Sequence, residues 1–464
     1  MNGEPTEFRQ SIYNIVIPLS PQVIKSDTPL YIVANPLSGM VSLMDERERT
    51  VLQEFPHIHE DSIVSSLKDA GHITHLTEEE EKSLMEERYA DQKVPTNPKA
   101  GIVVTYQCNL RCTYCWTDHL FKNDTRWMNT IIDEKMVDAA FNAIDTVPAL
   151  KTLSSLSFYG GEPFLPSTMP IVKYILENRT QRDYSFHANT NGYFLKQFTP
   201  LLSQHNIKGL GVTLDGIPPV HNKRRKRIDG SGSFHQIVEG IDTALDAGIT
   251  IGVRINADGE NFDQLPAFGD WIKEHGWAHR NGISFTICPI RAGKSNTPSG
   301  VLTYFEMDNH IIDLFRESSI RIMQYEWEYM AEGYLTRAVL DGCELEPRPF
   351  YCDAHCQSYL FDPFGDVYSC PRGVGDRTFS IGKFFPELAF DANYEHWFNR
   401  DVLSIPQCKA CSLALVCGGG CAYEAFLEHT TIYKGFCERY KSFIEYGLPI
   451  FVRKKVNLDE RSSP

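Results

Sequence analysis

Apolar residues recur along this chain in short blocks separated by amphipathic stretches. Ile102-Val103-Val104-Thr105-Tyr106 is one such block, and similar strand-like runs fall at 154–159, 184–189, 208–214, 250–255 and 283–288. Between most of them the apolar spacing turns helical, as in Met136 to Val147 and Ile237 to Ala247. Six strand–helix repeats predict an α/β fold of parallel strands covered by outer helices. In such an arrangement chemistry gathers at the C-terminal ends of the strands.

The pattern differs on either side of this region. Leu30 to Ala34 and Met40 to Met44 read as two strands joined by the turn Asn35-Pro36-Leu37-Ser38-Gly39. Asp45 with Glu48 three residues on has the form of a capping box, opening a helix with Val51, Leu52 and Phe55 on one face. A second helix from Ser62 to Asp69 stops at Gly71, Glu78 to Ala90 is a highly charged helix, and Asp91 to Lys99 is a linker. Beyond residue 300, helical patterns at Leu302–Arg316 and Met323–Val339 lead into a cysteine-rich tail. Three domains are expected, at 1–95, 96–300 and 301–464.

Composition narrows the classes. The chain has 464 residues, 42% apolar and 23% charged, as expected of an ordinary globular protein. A net charge of −15 argues against nucleic acid or an anionic membrane as main partner. No run of 18 apolar residues occurs, and the opening MNGEPTEFRQ has neither the basic nor the apolar part of a signal peptide, so a cytoplasmic location is expected. Thirteen cysteines in that setting point to metal or redox chemistry.

Three of them, Cys108, Cys112 and Cys115, stand in a C-x3-C-x2-C spacing in the loop after the first strand. Three thiolates in a compact loop suit an iron–sulfur centre that keeps one iron open to a substrate or cofactor. A structural zinc site or scattered buried thiols is the plainer alternative. With Tyr114 as the aromatic before the last cysteine, the pattern resembles the signature of radical S-adenosylmethionine enzymes. The resemblance implies a 4Fe–4S cluster whose open iron chelates S-adenosylmethionine. One-electron cleavage then gives a 5′-deoxyadenosyl radical, with Tyr114 near the adenine. The six repeats fit that family's partial (β/α)6 barrel.

Further stretches at strand ends match the same family. Gly160-Gly161-Glu162-Pro163 resembles its GGEP motif, which holds the methionine amino group; alone, the paired glycines read as a turn. Thr190 and Asn191, at the end of the third strand, are candidates for the ribose hydroxyls or the cofactor carboxylate, or for a polar turn. Thr213-Leu214-Asp215-Gly216 resembles a family segment with serine in the first place. Arg225, ten residues beyond Asp215, matches an arginine that pairs with the cofactor carboxylate. The rest of Lys223 to Arg227 reads as a solvated basic loop. Arg254 and Asn256 are further candidates or structural residues.

The tail holds Cys352, Cys356 and Cys370, then Cys408, Cys411, Cys417 and Cys421, then Cys437. It resembles the SPASM extension, which implies two auxiliary 4Fe–4S clusters. One set is Cys352, Cys356, Cys370 and Cys421; the other is Cys408, Cys411, Cys417 and Cys437. A zinc ribbon on Cys408-x2-Cys411 and Cys417-x3-Cys421 is the rival. Cys288 is a candidate catalytic thiol or a buried bystander, Cys343 is unassigned, and Asp353 and Asp366 are candidate bases. The N-terminal unit is expected to be winged-helix-like and resembles peptide-leader recognition domains; a cap that binds nothing is the alternative.

The implied function is modification of a ribosomally made precursor peptide by hydrogen abstraction, giving a crosslink or related oxidation, with a reducing partner such as flavodoxin or ferredoxin. Two alternatives stand beside it. An anaerobic sulfatase maturase forms formylglycine from cysteine or serine, but that family places an aspartate directly after the cysteine matching Cys370, where this chain has Pro371 and then Arg372. A non-catalytic iron–sulfur carrier is the other.

Overall fold

The computed structural model describes residues 8–24, 26–58, 60–117, 120, 126–177, 183–291, 298–315, 319–328 and 330–462. Its centre is six strands, Lys99–Thr105, Ser155–Gly160, Ser185–Thr190, Ile207–Thr213, Ile251–Ala257 and Ile283–Pro289. Each pairs in parallel with the next. A parallel neighbour is reached only through a crossover. Glu134–Thr146, Met169–Glu177, Leu195–Leu202, Phe234–Asp246 and Leu265–Glu274 are helices within those crossovers. Each buries one apolar stripe, such as Val137, Phe141 and Ile144, or Ile237, Ile241 and Ala244.

The other face of the six strands is small and polar. Register places Ser157, His187 and Gly209 in one layer, and Asn189, Gly211, Gly252 and Ser284 in the next. A closed eight-stranded barrel fills this space with branched aliphatics. Here the space stays open as a cavity of about 760 Å³, lined by Ser157, His187, Asn189, Gly211, Gly252 and Ser284 among others.

The sheet continues past both ends of the six. Gln324–Tyr325 pairs with the sixth strand. On the opposite edge Ser358–Phe361 pairs in parallel with the first strand. Asp366–Tyr368, Ser380–Lys383 and Ala389–Phe390 follow in antiparallel order, giving one 11-stranded sheet. The single helix expected over 323–339 is therefore corrected. Residues 324–325 are strand and the helix is Met330–Asp341. Tyr325 and Trp327 are buried, and Tyr325 opposes Ile287 while its hydroxyl donates to Asp308 (2.8 Å). Aromatic residues beside an open strand edge favour pairing over helix.

At the N-terminal end, Leu30–Asn35 and Met40–Asp45 form the expected hairpin, and Ile15–Pro18 adds an unanticipated third antiparallel strand. The Asp45–Glu48 capping box opens helix Glu46–Gln53. Helix Asp61–Asp69 ends at Gly71, whose φ of 69° lets His72 N–H reach Leu67 O (2.8 Å). Strand Met40–Asp45 is the edge of this sheet, without an outer strand partner among the described residues. Helix Met330–Asp341 lies alongside it. Among the described residues no helix is long and apolar enough to cross a membrane.

Candidate active site and cysteine centres

The loop after the first strand is held from three sides. Leu110–Cys112 pairs antiparallel with Arg225–Arg227, which sets Cys112 opposite Arg225. Thr113 N–H donates to Arg224 O (2.9 Å), and Arg111 reaches back to Cys108 O (3.0 Å). From the third strand, Asn191 Nδ2 donates to Asn109 Oδ1 (2.8 Å) and approaches Cys108 Sγ (3.8 Å). Cys108, Cys112 and Cys115 lie within one another's electrostatic reach. Burial pushes the Cys112 thiol up to about 11, against the Arg225 guanidinium, which lowers it. Such thiols stay neutral until a metal displaces the proton.

The two glycines after the second strand serve the chain itself. A Cβ on Gly160 would lie 2.2 Å from Thr105 O, and one on Gly161 would lie 2.3 Å from Tyr106 O and 2.6 Å from Gln107 O. That closeness lets Gly161 N–H donate to Thr105 O and Glu162 N–H to Gln107 O, each at 2.9 Å. The turn is thus stitched to the segment that delivers Cys108. Glu162 is 2% exposed and accepts from Thr190 Oγ1 (2.6 Å), Asn191 N (2.6 Å) and Phe164 N (2.9 Å). Burial raises its carboxyl, opposed by those donors. Thr190 and Asn191, read separately in the sequence, come together with Glu162, and the Thr190 hydroxyl is engaged by the carboxylate. Pro163 is buried, and its carbonyl accepts from Thr168 Oγ1 (2.6 Å). Thr213 is half-buried opposite Arg254 at the ends of the fourth and fifth strands.

Tyr114 joins a buried network. Its hydroxyl donates to Asp215 Oδ2 and accepts from Arg225 Nη1 (2.9 Å) and Asn256 Nδ2 (3.2 Å). Arg224 lies over its ring, 5.1 Å from the centroid. Arg224 is also forked onto Asp258, with contacts of 2.8 and 3.2 Å, and lies 3.7 Å from Asp215. This corrects the reading of Lys223–Arg227, because Arg224 as well as Arg225 is buried while Lys223 and Lys226 face solvent. A run of cations in sequence does not say which of them face inward; Arg224 closes helix Pro218–Arg224 and turns to Asp258, and Arg225 opens the short strand Arg225–Arg227. Asp258 and Asn261 were missed, and the Asn-Ala-Asp stretch at the end of the fifth strand was the available signal.

Around this loop, Asn109 Nδ2, Arg224 Nε and Arg225 Nε are buried donors without a hydrogen-bond partner among the described residues. Three adjacent thiols beside unsatisfied cationic donors form a set that fits an iron–sulfur centre with a carboxylate-bearing ligand.

The C-terminal region meets the site at Tyr159, whose hydroxyl donates to Pro371 O (3.2 Å) and whose ring lies 6.3 Å from that of Trp116. Arg372 is paired with Glu424 and lies over the Tyr423 ring at 4.5 Å. Cys288 is buried at the end of the sixth strand, with Arg254, Glu326 and Arg291 around it, and burial pushes its thiol up to about 12. Burial alone would raise Glu326, yet Arg291 and Arg439 hold it down to about 2. Asp353 pairs with Lys99, at the start of the first strand and the opposite end from the cysteine loop. Asp366 bonds Lys383 (2.7 Å) and Arg377 (3.3 Å). Of the three candidate catalytic residues, only Cys288 stands at a strand's C-terminal end beside Arg254.

The eight remaining cysteines of the tail divide by mutual contact of charge. Cys352, Cys370 and Cys421 act on one another, and Cys356 on Cys352. Cys408, Cys411 and Cys437 form a second group, with Cys417 reached by Cys437 and Cys408. Among the described residues no three His, Cys, Asp or Glu side chains converge as a single-ion site. Cys343 is exposed and outside both groups.

Residues 102–272 match the family model of the Radical SAM superfamily. The chain is 22% identical over 369 residues to a cysteine-type anaerobic sulfatase-maturating enzyme of Clostridium perfringens (strain 13 / Type A), covering 76% of this chain and 96% of that protein. It is 24% identical over 332 residues to the mycofactocin maturase MftC of Mycolicibacterium smegmatis, covering 70% and 77%. Among solved structures, native anSMEcpe with bound AdoMet superposes with a TM-score of 0.57 at 18% identity, covering 78% of this chain and 100% of that chain. Streptococcus suis SuiB bound to S-adenosylmethionine gives 0.54 at 14% identity, covering 92% and 98%. At these identities the structural likeness is one of fold.

Proposed function

From the premise that this chain carries a Radical SAM domain over residues 102–272 and is an enzyme of that superfamily, we propose that it is a maturase of a ribosomally made peptide. It abstracts a hydrogen from one residue and installs a crosslink or related two-electron oxidation. Cys108, Cys112 and Cys115 hold the first iron–sulfur centre. Arg225 and the Gly160–Pro163 turn serve the cofactor, with Tyr114 at its adenine. When bound, S-adenosylmethionine and this centre supply the 5′-deoxyadenosyl radical. Cys352, Cys356, Cys370 and Cys421 hold one auxiliary centre, and Cys408, Cys411, Cys417 and Cys437 the other.

What the protein contributes is position and exclusion. The open polar face of the six strands, with its glycine-lined cavity, admits a peptide backbone close to the sheet. Tyr159 and Trp116 lie where the barrel meets the C-terminal region. The observation that carries the peptide reading is the edge strand Met40–Asp45, which among the described residues has no strand partner on its outer side and on which Met40 and Leu43 are 47% and 41% exposed. An extended leader adds to such an edge through main-chain hydrogen bonds. The structural neighbour SuiB has also been solved bound to its precursor peptide, SuiA.

A sulfatase maturase remains the second reading, because anSMEcpe structures include ones with bound Cp18Cys and Kp18Cys peptides. Against it, the segment after Cys370 presents a proline and an arginine already paired with Glu424, with no carboxylate in the place expected of the base.

The test is anaerobic incubation of the iron-loaded enzyme with S-adenosylmethionine, reductant and short peptides encoded beside its gene. Formation of 5′-deoxyadenosine with loss of two hydrogens between two residues of one peptide supports the proposal. An aldehyde at a cysteine or serine of a sulfatase peptide moves the assignment to the second reading. No 5′-deoxyadenosine with any peptide would leave an iron–sulfur carrier.

A further inference from the structure

Arg400 follows helix Ala392–Phe398 and is 0% exposed. Among the described residues it makes no ion pair with a carboxylate. Its guanidinium instead donates to main-chain carbonyls. Nε reaches Ile432 O, and Nη2 is shared among Gly420 O (3.1 Å), Gly419 O (3.2 Å) and Lys434 O (3.3 Å). Nη1 faces His355 Nε2 at 3.5 Å. The His355 Nδ1 is 2.9 Å from Trp397 O and donates to it, which leaves Nε2 as an acceptor.

These partners belong to both cysteine groups at once. Gly419 and Gly420 lie in the three-residue link from Cys417, of one group, to Cys421, of the other. Gly418, Gly419 and Gly420 all have left-handed φ, of 71°, 82° and 71°. That run is open only to glycine, and a Cβ on Gly420 would lie 1.9 Å from Phe436 O. His355 neighbours Cys356, and Lys434 stands three residues before Cys437. The charge of Arg400 acts on Cys421 and Cys352 of one group and on Cys408 and Cys417 of the other. A buried cation given only neutral acceptors is strongly disfavoured unless anions lie close by. The cysteine sulfurs of both groups become such anions when a metal displaces their protons.

We propose that Arg400 is a positioning residue whose fixed positive charge, shared by the two cysteine groups, raises the reduction potentials of both auxiliary iron–sulfur centres together. The proposal rests on the reading that both groups bind clusters. Reduction adds one electron to a centre, and a nearby buried cation favours the more negative state. Carbonyl bonds to Gly419 and Gly420, in the link between Cys417 and Cys421, hold that charge within reach of both groups. Their potentials are thereby coupled to one residue.

The experiment is a redox titration of the fully reconstituted chain, followed by electron paramagnetic resonance, for the wild type, Arg400→Gln and Arg400→Lys. Arg400→Gln is expected to lower the equilibrium constant for reduction of both auxiliary centres by at least tenfold, about 59 mV for one electron. The centre on Cys108, Cys112 and Cys115 is expected to hold its potential. Arg400→Lys keeps the charge and is expected to restore most of the loss. Unchanged auxiliary potentials in Arg400→Gln, or an equal loss in Arg400→Lys, would overturn the proposal. If Arg400→Gln does not retain its iron, Arg400→Lys decides: potentials near the wild type uphold it and a tenfold fall refutes it. A wild-type chain that takes up iron for one centre instead of three removes the auxiliary-centre reading first, and the proposal falls with it.

Discussion

Replacing Glu162 by glutamine tests whether the turn after the second strand is a carboxylate clamp. The native carboxylate accepts from one hydroxyl and two backbone N–H groups, those of Asn191 and Phe164. An amide keeps the shape but turns one acceptor oxygen into an N–H₂ group. Whichever way it is flipped, one buried backbone donor faces another donor. Leaving such a group unsatisfied costs about 1–3 kcal/mol, or roughly 5- to 150-fold in the local opening equilibrium. Hydrogen exchange read by mass spectrometry on peptides spanning 158–165 and 186–193 measures that opening. Faster exchange is expected in both peptides together, because the clamp joins the second and third strands. Thr190→Val, which removes only the hydroxyl donor, is expected to give the smaller change. Protection in Glu162→Gln within twofold of the wild type would refute the clamp.

Three other perturbations follow from the same geometry. Gly161→Ala drives a Cβ into Tyr106 O and Gln107 O, so the purified variant is expected to lose the iron of the Cys108–Cys115 centre while keeping that of the tail, as read by iron analysis and spectroscopy. Arg224→Met strips Asp258 of its buried counter-charge and leaves Asp215 with Arg225 alone; a loss of about 3–5 kcal/mol is expected, against about 0.5 kcal/mol or less for exposed Lys223→Met, compared by denaturant titration. Burial raises Asp362 to about 6 from 3.8, so the native chain binds its proton more tightly than the unfolded one. The stability this group gives is full below pH 4, falls as pH rises towards 6 and is flat above; Asp362→Asn is expected to gain in thermal midpoint relative to wild type across that window.

The parts of the fold that were legible in the sequence are those set by local periodicity. Six strand-like runs separated by helical spacing translate directly into six parallel strands, because each run is buried on at least one face. What was not legible came from pairing at a distance. Gln324–Tyr325 lies inside a helix-like pattern and is a strand only because the sixth strand offers an edge. Ser358–Phe361 is four residues long, and nothing local says that it joins Lys99–Thr105. In the site, Cys108, Cys112 and Cys115 announce themselves by spacing. The burial of Arg224 does not, since Lys223 through Arg227 are equally charged and the carboxylates that Arg224 meets, Asp258 and Asp215, lie outside that run. Asp353 shows the reverse error: it is close to Cys352 in sequence, yet in space it sits at the wrong end of the first strand.

The continuous sheet has a practical consequence for anyone who cuts this chain. The first strand is an interior strand, with Ser155–Gly160 on one side and Ser358–Phe361 on the other. A fragment ending near residue 300 would bare that second side along Lys99, Ala100, Gly101 and Ile102, the kind of edge on which copies stick together. The same pairing ties the strand that leads to Cys115 to the strand that leads to Cys370, and both cysteines lie near Tyr159. The placement of the first cysteine triad relative to Cys370 is thus set by strand pairing within one sheet.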